Sequence, residues 1–278
     1  ITDGVPHHFP MRSLQKVFDL YDAPTWYNDA TNDIVSSPKL DGAAVSLLYV
    51  NGVLEQALTR GDGKVGRDIT DKLKLLVPNK IEAKMPNIVQ LTGEVVAPLY
   101  IENSRNYAAG ALNLKNLEEF ATREVEFVLY GAEPNVDHWW TTEMNYYSYN
   151  GFCTVLDIKP DTFPTDGVVY RLDKFSSHHL QGFTSQHPRG SFALKSLVTE
   201  TAVTTLEKVV WQVGKSGRIS PVAILDPVKV GDAIVSRATL HNISIIDELG
   251  LELGCQVEVI RSGEIIPRIV RRVEDADD

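Results

Sequence analysis

The residues with the clearest chemical potential are Lys39-Leu40-Asp41-Gly42. A lysine amine is a nucleophile only when neutral, and at its ordinary pKa roughly 0.04 per cent of it is neutral at pH 7. Partial burial and neighbouring cations both lower that pKa, so a reactive Lys39 calls for positive charge nearby. Arg60, in Thr59-Arg60-Gly61-Asp62-Gly63, and Lys195, at the end of Phe192-Ala193-Leu194-Lys195, are the candidates. Either would also steady a phosphate as negative charge builds on it. Taken singly these signals are weak. The Arg60 stretch reads equally well as a plain turn, whose glycines would otherwise let a backbone approach a ligand. Glu94, in Gly93-Glu94-Val95, sits where a lone strand carboxylate usually faces solvent.

The flanking pattern shows what must position these groups. Residues 33–37 and 43–50 are strand-like, and Asn51-Gly52 between 43–50 and 53–60 is the strongest short-range hairpin signal. Lys39 is therefore expected on a loop edge at the hairpin's entrance. Ser13 is expected to cap a helix carrying Val17, Leu20 and Tyr21 on one side, and 68–77 has helical spacing. Strands are expected over 88–96, where the small Gly93 would let a ligand lie close, and over 126–131, 165–171 and 189–197. Residues 103–114 read as a small-residue turn or helix start. Trp139, Trp140, Tyr146, Tyr147 and Tyr149 form an aromatic group that stacks bases in some proteins and makes a satellite core in more. The adjacent His7 and His8 in an extended segment point to opposite faces, with no carboxylate cluster beside them, so they read as ordinary rather than metal-binding residues. From about 198 the texture changes to short strands, a turn at Gly214-Lys215-Ser216-Gly217, a helix-like 243–249 and a last hairpin around Ser262-Gly263. That series suits a small OB-type barrel. The expected organisation is α+β: residues 1–197 as antiparallel sheets with helices, residues 198–278 as an all-β barrel.

Composition narrows the class. The chain has 278 residues, 43% hydrophobic and 23% charged, with a formal net charge of -10. No apolar run approaches a membrane span, and the first residues lack a secretory pattern. Opening on Ile1 suggests a trimmed product. Two cysteines, Cys153 and Cys255, are too few and too distant for a cysteine-built zinc site or a disulfide framework, which fits a reducing, intracellular setting. The acidic balance argues against coating nucleic acid by bulk charge, so contact would be local, through a row such as Lys215, Arg218, Arg237 and Arg261.

Taken in order, the pieces resemble the NAD-dependent DNA ligases of the nucleotidyltransferase superfamily. The resemblance runs through His-x-x-Pro-Met-x-Ser-Leu at 7–14, KLDG at 39–42, Thr-Arg-Gly-Asp-Gly at 59–63, Gly-Glu-Val at 93–95 and Arg-Asn-x-Ala-Ala-Gly at 105–110. It continues through Leu-Tyr-Gly at 129–131, Asp-Gly-Val-Val at 166–169 and Lys195, then the barrel motifs at 213–223, 238–242 and 261–267. It implies a nucleotidyltransferase domain with an OB-fold nucleic-acid-binding domain. Lys39 would attack the α-phosphate of NAD to form lysyl-AMP, AMP would pass to the 5′-phosphate of a DNA nick, and the 3′-hydroxyl would seal it. The implied nucleotide-binding set is Ser13, Leu14, Ser37, Leu40, Arg60, Glu94, Arg105, Tyr130, Val168, Arg171 and Lys195. Ser13-Leu14, Leu40 and Tyr130 would enclose adenine, Glu94 would hold the ribose, and Arg60, Arg105 and Lys195 the phosphate side, with Mg²⁺ neutralising charge.

Two positions depart from the family pattern. Ser37 stands where a Glu usually meets the adenine amine, and Arg171 where a Lys is usual. The family's modules for nicotinamide mononucleotide (NMN), for zinc, and its helix-hairpin-helix and BRCT modules have no counterpart in these 278 residues. The expectation is that a separate polypeptide presents NAD, or that the NMN module has been removed from this chain, with nicked double-stranded DNA as substrate, no bound zinc and no membrane. The alternatives are a non-catalytic nick-binding or scaffolding subunit and an ATP-using polynucleotide ligase.

Overall fold

The computed structural model describes residues 4–195, 199–231, 233–240, 242–262 and 267–273. The expected junction at 197/198, the Gly263 of the expected last turn and His241 of one barrel motif lie outside the described residues. The chain divides into two compact units, 1–196 and 197–278.

In the first unit the elements are β1 (Val5–Pro6), β2 (Gln15–Val17), β3 (Ile34–Leu40), β4 (Ala43–Val50), β5 (Val53–Thr59), β6 (Val65–Gly66), α1 (Thr70–Leu73) and β7 (Ile88–Val96). They continue with α2 (Ser104–Leu112), α3 (Leu117–Ala121), β8 (Glu126–Glu133), α4 (Trp140–Tyr149), β9 (Cys153–Thr154), β10 (Thr165–Leu172), α5 (Phe175–Leu180) and β11 (Ser191–Leu194). Two sheets carry the unit, one ordered β5-β4-β7-β8-β9 and one ordered β2-β11-β10-β3. The β4–β5 hairpin turns through Asn51 and Gly52, both at positive φ (49° and 79°), as a two-residue turn of this kind requires. The main core packs on the five-stranded sheet, where Leu47, Leu91 and Leu129 are fully buried. A smaller core of Val17, Trp26, Leu172 and Phe192 covers one face of the four-stranded sheet. Val35, on the opposite face of that sheet, packs toward the main core.

Several local expectations are corrected. Ser13 caps no helix: the segment after it is β2, in parallel register with β11, with Val17 buried in the smaller core. Strand pairing and that burial outweigh the helical spacing, and Leu20 falls in a single 3₁₀ turn, Leu20–Asp22, capped by Asp19. The helix expected over 68–77 is α-helical only in α1, although Ile69, Leu73 and Val77 are buried as their spacing requires. Lys39 lies within β3 rather than on a loop. Gly93 does not open space for a ligand: a Cβ there would meet the Val128 carbonyl oxygen at 2.3 Å and the Phe127 ring at 2.4 Å. The aromatic group forms α4, whose Trp140 and Tyr147 are buried in the main core while Tyr149 is exposed.

The second unit holds β12 (Thr199–Val213), β13 (Ile219–Val230), β14 (Ala233–Thr239), α6 (Ser244–Glu248), β15 (Gln256–Ser262) and β16 (Arg268–Val273). Its strands close into a barrel in the order β12-β13-β14-β16-β15, filled by residues such as Leu206, Ala223, Leu225, Val257 and Val259. Closure is completed between β14 and β16, where Thr239 is in register with Arg268.

Because Leu91 is fully buried at the centre of the larger sheet, Leu91→Ala should destabilise the first unit by about 2–5 kcal/mol, read as a lowered urea midpoint with unchanged slope.

Candidate active site

The backbone aims the polar groups through two β-bulges. On β10, Leu40 pairs with Thr165 and Lys39 with Gly167, which leaves Asp166 as the extra, unpaired residue. On β8, Thr92 pairs with Gly131 and Gly93 with Leu129, which leaves Tyr130 unpaired. A bulge bends its strand and redirects a side chain, and such irregularities concentrate next to active sites.

Asp166 joins the two lysines. Lys39 Nζ donates to Asp166 Oδ1 at 3.1 Å and to Oδ2 at 3.3 Å, and Lys195 Nζ lies 3.3 Å from Oδ2. The three side chains are 19–30% exposed, so they are reachable from solvent yet shielded from bulk screening. The group in direct contact with Lys39 is thus a carboxylate, across which the expected cation Lys195 stands. Gly167 is required between them, since a Cβ would meet the Leu194 carbonyl oxygen at 2.4 Å.

A second polar group lies under the KLDG turn. Glu94 Oε2 accepts from the Gly42 amide at 3.3 Å, and the Tyr130 hydroxyl donates to Glu94 Oε1 at 3.4 Å. Trp140 Nε1 donates to the Tyr130 carbonyl at 2.9 Å, satisfying the backbone that the bulge leaves unpaired. Burial pushes the Glu94 carboxyl up to about 7, against the opposing charge of Lys39 and the Gly42 amide. Burial also pushes the Tyr130 hydroxyl well up, with the Arg60 guanidinium acting in the opposite sense. Gly42 has no room for a side chain: a Cβ would stand 2.2 Å from the Val95 carbonyl oxygen. Asp41, whose carboxyl is raised by burial, forms an ion pair with Arg105, with Nε 3.3 Å from Oδ1.

These contacts bring together Lys39, Glu94, Tyr130 and Lys195 with Asp41, Arg105 and Asp166. Arg60 follows β5, half-buried and within electrostatic reach of Tyr130. Ser37 is buried opposite Val169 and, two residues from Lys39 on one strand, shares its face. Leu40 is buried in the main core.

Other expected residues stand apart. Val168 pairs with Pro38 and Leu194, so alternation puts it on the face opposite Lys39, and Val169 is the one that shares the Lys39 face. Arg171 shares that face but lies at the level of Val35, with its guanidinium 4.9 Å from the Trp140 ring centroid and 5.5 Å from that of Phe175. Burial lowers its pKa to about 10, opposed by Asp173 and Glu143. Ser13 is held by Gln186, whose carbonyl accepts from both its amide and its hydroxyl, and half-buried Leu14 precedes β2 at the end of the sheet remote from Lys39.

In the barrel, Lys215 and Arg218 sit at the exposed turn joining β12 and β13, Arg237 is exposed on β14, and Arg261 pairs with Glu200 on the far stretch of β12. They do not form one row. Among the described residues no group of three or more His, Cys, Asp or Glu side chains is placed to hold a metal ion, and no helix is long and apolar enough to cross a membrane.

The sequence did not single out Asp41 or Val169 as site residues. Asp41 was within reach, since it lies inside KLDG. The register that selects Val169 leaves no mark in one sequence.

Residues 2–101 match the model of the NAD-dependent DNA ligase adenylation domain, and residues 203–278 that of the NAD-dependent DNA ligase OB-fold domain. A DNA ligase of Alcanivorax borkumensis is 34% identical across 98% of this chain and 42% of its own length. One of Saccharophagus degradans is 35% identical across 98% of this chain and 48% of its own length. The chain thus spans under half the length of these curated relatives. A solved structure titled "Pmar-Lig_Pre." shares the fold, with TM-score 0.51 at 12% identity over 95% of this chain and 68% of that one.

The raised Glu94 carboxyl gives a signed prediction. A carboxyl whose pKa is higher folded than unfolded binds its proton better in the folded state, so its contribution is complete below about 4.5 and is lost as pH rises through about 7. Glu94→Gln should therefore gain stability relative to the parent chain between pH 5 and pH 8, by urea titrations across that range; a difference that does not change with pH contradicts the assignment.

Proposed function

We propose a role that proceeds from one premise: the chain belongs to the NAD-dependent DNA ligase family, of which it carries the adenylation and OB-fold domains. The role is that of the catalytic core of such a ligase, with Lys39 as the residue that carries AMP. The observation that carries this reading is the Asp166 carboxylate within hydrogen-bond distance of Lys39 Nζ, beside a second lysine.

In the first step the Lys39 amine attacks the α-phosphorus of NAD. A nitrogen–phosphorus bond forms, the phosphoanhydride bond to NMN breaks, and NMN leaves with the bonding electrons. Asp166 is the acceptor for the proton that the amine gives up. Lys195 and Arg60 offset charge on the phosphate oxygens. Glu94 and Tyr130 hold the nucleoside side, with Ser37 and Val169 on the adjoining strand face. In the second step an oxygen of the nick's 5′-phosphate attacks the adenylyl phosphorus and returns the electron pair to Lys39. In the third, the 3′-hydroxyl attacks the 5′-phosphorus and expels AMP.

Mg²⁺ usually binds through one or two carboxylates, water and substrate phosphates, so the lack of a three-carboxylate cluster among the described residues is no obstacle. Asp41 is the carboxylate available to it, and the ion's contribution would be charge neutralisation at the phosphates. Residues around Lys39 account for the AMP half of NAD. The NMN half is assigned to residues outside these 278, and a second polypeptide that supplies them is the partner tested below. In the barrel, Lys215 and Arg218 are the first candidates for the phosphates of nicked duplex DNA, since a salt-dependent, local contact is what an acidic chain allows.

The test is intact-mass spectrometry of the chain with NAD and Mg²⁺, with and without a candidate partner. The expected result is an added adenylyl group that Lys39→Ala removes and that nicked duplex discharges. Adenylation from ATP in place of NAD would redirect the reading to an ATP-using ligase. Nick binding with no adenylate under any condition would leave a non-catalytic subunit. Full activity from NAD without a partner would overturn the two-polypeptide assignment.

A further inference from the structure

His7 lies outside the site described above and is 8% exposed. Its Nε2 is 2.9 Å from the Arg60 carbonyl oxygen and its Nδ1 is 2.7 Å from Ser46 Oγ. A carbonyl only accepts, so Nε2 carries a proton and donates, and Nδ1 shares a hydrogen bond with the Ser46 hydroxyl. The two contacts together fix the orientation of the ring. Ser46 is 4% exposed on β4.

The other contacts of Arg60 show what the ring controls. The Arg60 amide donates to the Ala44 carbonyl at 3.0 Å, and Ala44 is the register partner of Glu94. The Arg60 carbonyl also accepts from the Gly63 amide at 3.0 Å. The strand that brings His7 here is stitched to the same turn: His7 N donates to the Lys64 carbonyl at 2.9 Å, Met11 N to the Gly63 carbonyl at 2.8 Å, and β1 pairs with β6. At Gly66 a Cβ would meet the Thr59 carbonyl oxygen at 1.7 Å and His7 Nε2 at 3.2 Å, so the turn closes directly onto the imidazole. Arg60 thus leaves the sheet from a backbone fixed on both sides, with its charge within electrostatic reach of Tyr130.

We propose that His7 is a positioning residue, which holds the Arg60 backbone so that the guanidinium meets the phosphate of a bound adenine nucleotide. This rests on the adenylation reading, and it assigns a role to a histidine that touches no reacting atom. An arginine on an unbraced turn would sample many orientations, and bringing it to the phosphate would then cost ordering entropy on each binding event.

The test compares the parent chain, His7→Ala, His7→Gln, Arg60→Ala and the double variant His7→Ala/Arg60→Ala. Affinity for AMP is read by calorimetry and the rate of Lys39 adenylation by mass. His7→Ala is expected to weaken AMP binding about tenfold and to slow adenylation at least as much. The double variant should be no worse than Arg60→Ala alone, because the imidazole acts only through that arginine. His7→Gln, whose amide nitrogen donates to the same carbonyl, should recover most of the loss. Multiplying effects in the double variant, or unchanged AMP affinity in His7→Ala, overturns the proposal. If His7→Ala does not fold by circular dichroism, Ser46→Ala replaces it: weaker AMP binding supports the role and unchanged binding overturns it. A parent chain that binds AMP yet forms no adenylate under any condition refutes the adenylation reading and leaves the His7 role to be judged by AMP affinity. A parent chain that binds no AMP refutes both.

Discussion

The first unit depends on one shared carboxylate. Asp166 accepts from Lys39, on β3, and pairs with Lys195, which directly follows β11; the two lysines repel each other in its absence. The carboxylate reaches both because β10 carries an extra residue at that point, so the irregularity in the ladder places the charge. Regular pairing would send Asp166 to one face of the sheet and leave the lysines without their common partner. The sequence signature around it, Asp-Gly-Val-Val, records that need: the glycine is where the neighbouring strand comes too close for a Cβ.

The second polar group obeys the same logic from the opposite sheet. Tyr130 also stands at a bulge, its carbonyl is taken up by the Trp140 indole, and its hydroxyl and the Gly42 amide both point at Glu94. A buried carboxylate needs such donors, since desolvation without them is expensive. KLDG is therefore tied at both ends, Lys39 to Asp166 and Gly42 to Glu94, with Asp41 anchored to Arg105 on α2 between them. Small residues mark where backbones approach: Gly42 against β7 and Gly93 against β8. Gly93 is the instructive case, because its smallness serves packing against Phe127 and not access for a ligand.

Much of this was legible in the sequence where local chemistry decides the outcome. Asn51-Gly52 between two β-favouring runs gave the hairpin, the 88–96 strand has the bounds expected of it, and the alternation of short strands and turns after 198 gave the barrel. What escaped the sequence depends on register and burial. Val168 and Val169 are indistinguishable until pairing with Pro38 or Ser37 assigns each a face. The helix expected after Ser13 lost to a parallel pairing with β11, a long-range contact that no local propensity reports. Arg171, placed in the nucleotide-binding set by its position in a motif, has its guanidinium over the rings of Trp140 and Phe175, a contact the motif does not announce. His7 looked ordinary because nothing near it in sequence announces Ser46 or Arg60.

The role of Asp166 as organiser of the lysine pair is tested most directly by the single-turnover rate of lysyl-AMP formation in Asp166→Asn. Asparagine keeps the size and can still accept through its oxygen, but it loses the charge that binds two ammonium groups and the capacity to take a proton. The account predicts a fall of about a hundredfold or more in that rate, with AMP affinity largely retained because Glu94 and Tyr130 are untouched. A variant that forms lysyl-AMP at the parental rate would contradict it.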